Sequence, residues 1–181
     1  MTNLSHLRRI VLAAAFSLTG AAPAMAADLT IKPGHVFALW QNVNDCLVST
    51  VRSTTMKMVL ISEINDMAPA AFENKTPGDL FELTAVVRGK LERLRAKMGA
   101  QPWPETLDMA GGSAQQMHAY LAAGMALDSL ASLLVAKTGP EQSVYVCYKA
   151  EIPDGKSASD VYAMVELASR RLDAVIKALG A

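Results

Sequence analysis

Lys75–Leu91 reads K-T-P-G-D-L-F-E-L-T-A-V-V-R-G-K-L, and Lys156–Leu172 reads K-S-A-S-D-V-Y-A-M-V-E-L-A-S-R-R-L. A third stretch, Lys32–Leu47, opens alike: K-P-G-H-V-F-A-L-W-Q-N-V-N-D-C-L. Each opening predicts a helix start. Thr76 and Ser157 stand where a hydroxyl accepts an orphan backbone N–H, and Asp79 and Asp160 follow three residues later, near the positive helix end. Pro77 takes the first helical position, where its missing N–H costs nothing. In the first copy Lys32 holds the cap position and His35 the third helical one, which makes a weaker cap. Counted from the cap, Val36, Leu80 and Val161 agree, followed by Phe37, Phe81 and Tyr162. Val43, Val87 and Ala168 lie eleven residues on, and Leu47, Leu91 and Leu172 fifteen on. Steps of three and four residues place these side chains on one stripe of a 3.6-residue helix.

A further helix is expected after Gly111-Gly112. Ser113 and Gln116 supply a capping-box pattern, and Met117, Tyr120, Leu127, Leu130 and Leu134 form its stripe. The predicted helices span 34–66, 77–98, 113–137 and 158–179, with a break near Arg52-Ser53-Thr54-Thr55, where hydroxyl and β-branched residues cluster. Ser143–Tyr148 is rich in strand formers between Gly139-Pro140 and Pro153-Asp154-Gly155; lacking a partner strand, it is expected as an extended loop. The fold class that follows is all-α. The simplest assembly is a four-helix bundle of up-down type, and the shared starts suggest duplicated helical units.

The first 26 residues read as an export signal: Arg8 and Arg9 with no acid, an apolar run Ile10–Leu18, then Ala24-Met25-Ala26 at a cleavage site. Residues 27–181 are expected to form one helical domain. The full chain has 17 Lys+Arg against 17 Asp+Glu, and loss of Arg8 and Arg9 leaves fifteen bases against seventeen acids. That balance carries no electrostatic footprint for nucleic acid. The apolar run of the leader is shorter than the roughly 20 residues of a membrane span. No later run is read as a span, so no stable membrane insertion is expected once the leader is cleaved. A periplasmic or secreted protein is the expectation.

Two cysteines exclude a disulfide-dense scaffold and a four-cysteine zinc site. In an oxidising compartment Cys46 and Cys147 are candidates for one disulfide; two buried thiols or a redox pair are the alternatives, the latter without a C-x-x-C. Beyond the leader the histidines are His35 and His118. Placed at a helix start, His35 is expected to be neutral or capping. Neither histidine stands in ligand spacing with acids or cysteines, and the many methionines, such as Met56 and Met58, suit core filling, so no metal, haem or other cofactor is expected. No nucleophile elbow, zinc-protease motif or phosphate loop is present, and a non-enzymatic role is favoured.

A polar layer interrupts the stripes. Twelve residues after the caps stand Asn44, Arg88 and Ser169, with Trp40 one turn earlier and Tyr162 beyond it. Arg88 beside aromatic residues is a candidate seat for a small anionic ligand, with Asn44, Trp40, Tyr162 and Ser169 around it; the alternative is an Arg88 that reaches water. The remaining charges of that helix, Lys90, Glu92, Arg93, Arg95 and Lys97, are expected on a solvated face. Trp103, between Pro102 and Pro104, is a candidate contact for a partner protein; the alternative is that it plugs the end of the bundle. Tyr120-Leu121-Ala122-Ala123-Gly124 and Ile152-Pro153-Asp154-Gly155 resemble stretches of helical amidase-immunity proteins, although the cysteine positions depart from theirs. That resemblance implies a periplasmic inhibitor and assigns no residue a role. The leading expectation is an exported helical bundle that binds a partner protein or a small molecule. The rivals are an inhibitor of the immunity type and a small all-helical secreted enzyme of the chorismate-mutase kind.

Overall fold

The stripes become six packed helices in a computed structural model that describes residues 30–54, 58–103 and 116–180. They are α1 (Pro33–Arg52), α2 (Met58–Asp66), α3 (Pro77–Lys97), α4 (Gln116–Thr138), α5 (Pro140–Cys147) and α6 (Ala158–Gly180). No strand occurs among the described residues. From Ile31 onward the chain forms one compact unit. The expected export signal and the expected Ser113 cap lie outside the described residues, as do Thr55, Met56 and Pro104.

The starts form as their residues dictate. Thr76 Oγ1 accepts the Asp79 N–H, while Asp79 Oδ2 accepts the Thr76 N–H at 2.8 Å. Ser157 and Asp160 make the same reciprocal pair. The Thr76 and Ser157 hydroxyls also donate to these carboxylates and hold both below the usual carboxylate range, with the backbone N–H bonds and then Lys75 and Lys156 adding to the effect. Most counted stripe positions are then fully buried, with Val36, Val43, Leu47, Val161, Ala168 and Leu172 at 0% exposure, while Phe37, Phe81 and Tyr162 are half-buried. Met117 departs from its expected stripe and is exposed, whereas Leu127, Leu130 and Leu134 are buried.

The segment read as 34–66 divides into α1 and α2. Ser53 Oγ and Thr54 Oγ1 donate to the carbonyls of Thr50 and Val51, which offers the backbone an alternative to continuing the helix. Ser143–Tyr148 is not an extended loop, because α5 takes it as far as Cys147. Gly139, with φ 86°, ends α4, and Pro140 with Glu141 starts the next helix. With no strand to pair with, the strand-forming residues do not prevail over these signals.

The long helices do not alternate in direction. At the start of α3, the Lys75 N–H donates to Ser159 Oγ at the start of α6; midway, Lys90 Nζ donates to Ser169 Oγ. At their ends, a Cβ on Gly180 would lie 2.8 Å from Lys97 Nζ. Therefore α3 and α6 run in parallel. The same holds for α1 and α6: Gly34 abuts Pro153 just ahead of α6, and Asn44 Nδ2 donates to the Met164 carbonyl. The up-down order expected from the sequence fails because α2 and the helix-free stretch 67–76 carry the chain back to its starting end. Arg170 and Arg171 of α6 hold the carbonyls of Ala68 and Met67 along that return.

One helix, α4, is long and apolar enough to cross a membrane by length and composition, contrary to the reading that no such run follows the leader. Half of its apolar window is buried within the protein (50%). Its inward side packs on α1 and α3.

Candidate functional site

The polar layer exists, but different cations occupy it. Asn44 is buried, donating to the carbonyls of Trp40 and Met164, and its Oδ1 accepts from Arg171 Nη1 at 3.3 Å. Ser169 accepts from Lys90, whose ammonium also pairs with Asp173. Arg88 is exposed. Trp40 is fully buried, and Tyr162 is half-buried, edge-on to Phe72 and beneath Lys75 Nζ at 4.4 Å. The structure therefore joins Asn44 with Trp40 and Arg171, and Ser169 with Lys90, and leaves Arg88 on the surface.

Two cations lie off position twelve, where the sequence places Arg88. Fourteen residues after the caps stand Cys46, Lys90 and Arg171, and this position sits between the buried ones at eleven and fifteen. Arg171 is 7% exposed, and burial pulls its guanidinium below the ordinary arginine value, with the Asp45 charge opposing and that of Arg170 adding. Arg171 Nε and Trp40 Nε1 are buried without a hydrogen-bond partner among the described residues. Arg95, expected in water, is 6% exposed: Nη1 donates to Ser129 O and Ser132 Oγ, Nε and Nη2 to Gln101 O. Its guanidinium also lies over the Trp103 ring at 5.2 Å, so Trp103 is half-buried against α3 rather than presented on a free loop.

The most built surface lies elsewhere, on Tyr145–Lys156. Cys147 is bonded to Cys46 across a sequence separation of 101 residues. Asn42 Oδ1 accepts the backbone N–H groups of both Lys149 and Ala150. Lys149 pairs with Asp45, and the Tyr148 hydroxyl donates to Asp128 at 2.7 Å. Partial burial and the Asp128 carboxylate push the Tyr148 phenol up to about 12. A Cβ on Gly34 would stand 2.2 Å from the Pro153 carbonyl, so only glycine permits this approach. Despite these ties, Tyr145 is 81% exposed, Ile152 59% and Tyr148 48%.

Beside this segment the start of α1 and residues 152–156 enclose a cleft of about 300 Å³. Lys32, His35 and Lys156 line it together with Asp154. Lys156 Nζ is placed 4.5 Å above the Phe37 ring. His35 does cap α1: its Nδ1 accepts the Lys32 N–H at 3.0 Å. Among the described residues no three or more His, Cys, Asp or Glu side chains gather as a metal site would require. The chain matches no protein-family model, no curated protein and no solved structure.

Proposed function

We propose that this chain is an exported, non-enzymatic protein that binds a partner protein through Tyr145–Lys156 and the adjoining start of α1. One observation carries the reading: a segment tied down by a disulfide, two backbone hydrogen bonds to Asn42 and a tyrosine–aspartate bond keeps three large apolar side chains in water. Exposed apolar groups on a segment already held in place lose little entropy when covered, and tyrosine is among the side chains that dominate interfaces. The leader pattern of residues 1–26 and the disulfide support a periplasmic or secreted location. In this reading the long helices α1, α3, α4 and α6 serve as a four-helix core, and the like starts of α1, α3 and α6 support duplicated units.

Ile152-Pro153-Asp154-Gly155, one of the two stretches that resemble helical amidase-immunity proteins, lines the cleft of this face. An inhibitor of another exported protein is the form of the reading which that resemblance supports. The test is capture from the exported fraction of the native cell by wild type and by Tyr145→Ala/Ile152→Ser. The altered side chains are exposed, so the melting temperature should hold while the captured species is lost. Equal capture by both proteins contradicts the assignment.

A second reading, a small carboxylate held in the polar layer, is favoured by the unpartnered Arg171 Nε and Trp40 Nε1. It predicts that one member of a panel of mono- and dicarboxylates raises the melting temperature of wild type but not of Arg171→Met. No shift with any member counts against it.

A further inference from the structure

Three helices of this protein begin with a cap-residue N–H bonded to the side chain three residues on, but that acceptor differs in chemistry. In α3 and α6 it is the carboxylate of Asp79 or Asp160, bonded to the N–H of Thr76 or Ser157. In α1 it is His35 Nδ1, bonded to the N–H of Lys32. At the α1 start the His35 N–H returns to the Lys32 carbonyl at 3.0 Å rather than to a side chain. Lysine carries no acceptor, so the Lys32 side chain cannot return a bond to the His35 N–H as Thr76 and Ser157 do for their partners. No acid stands in the first turn of α1.

We infer that the start of α1 is a pH-sensitive cap, closed while His35 is neutral and released when the imidazole gains a proton. An imidazole nitrogen accepts a hydrogen bond only while unprotonated, and imidazole is the side chain that changes charge between pH 5 and 8. Protonation turns the acceptor into a donor aimed at another N–H and places a positive charge at the positive end of a helix. The charged groups lining the same cleft are Lys32 from α1 and Asp154 and Lys156 from the loop ahead of α6. Asp79 and Asp160, held below the usual carboxylate range by their own cap bonds, remain acceptors throughout this interval.

Release acts on the face assigned above to partner binding, since Gly34 of the same turn abuts the Pro153 carbonyl. Any effect on capture rests on that reading, but the cap itself does not. The experiment is amide hydrogen exchange in the full chain, corrected for intrinsic rates, at pH 7.5 and pH 5. The Lys32 amide should lose protection roughly fivefold on acidification, the scale of a lost cap. The Thr76 and Ser157 amides should keep theirs. His35→Asp, which copies the other two starts, should hold Lys32 protection at both pH values, and His35→Asn, a non-titrating acceptor, should do the same. Equal protection of Lys32 in wild type at both pH values overturns the inference, as does an equal loss in His35→Asp.

Discussion

Cys46, Lys90 and Arg171 share the fourteenth place after their caps, where a side chain must turn inward, and each meets the core differently. Cys46 is covalently bonded, Lys90 exits toward Ser169 and Asp173, and Arg171 stays among the Asn44 and Met67 oxygens. This was legible in principle, because Ala168, Arg171, Leu172 and Val175 keep the three-and-four spacing of a buried stripe. A charge on a stripe is easily read as reaching water, and Arg95 reaches Ser129, and Arg171 reaches Asn44 and Met67, on distant segments that no local spacing reveals. Arg171→Ala leaves buried oxygens of Asn44 and Met67 unpaired and should cost about 2 kcal/mol in urea unfolding. At Gly34 the opposing atom is backbone, so Gly34→Ala should push the Pro153 segment outward and lower the melting temperature, while Gly89→Ala, where nothing stands within 4 Å, should not lower it.

The helix starts at Thr76 and Ser157 were readable to the residue, because capping is local chemistry. Helix α5 was not, since Ser143–Tyr148 favours extended backbone and only the Gly139 turn and Pro140 argue otherwise. Ser157→Ala removes the hydroxyl that accepts the Asp160 N–H and should cost about 1 kcal/mol, measured by chemical unfolding. The capping aspartates set an acid limit. Their carboxyls hold protons less tightly folded than unfolded, so their contribution is complete above the unfolded value of about 3.9. It fades as the pH falls through the lower folded value. Asp160→Asn should therefore flatten stability against pH below about 4 and leave the slope between pH 5 and 7 unchanged.

Across the whole molecule, one bond links the first helix to the segment that precedes the last. The cysteine pairing was legible from compartment and count, and the all-helical class from the stripes. The parallel run of α1, α3 and α6 was not, because caps and stripes are the same whichever way a helix points. Only the return through α2 and residues 67–76 decides it. Replacing both cysteines by serine should lower unfolding stability by about 4–5 kcal/mol, the loop entropy of a closure spanning roughly a hundred residues. It should also loosen Tyr145–Lys156 before the rest, seen as faster amide exchange at Lys149 and Ala150. The claim that this segment is the binding face is tested most directly by a photo-crosslinking residue at Ile152 in the protein expressed in its native cell, compared with the same residue at Val59, an apolar and still more exposed place on α2. A discrete cross-linked protein from position 152 and none from 59 is the predicted result; the reverse, or no adduct from 152, contradicts it.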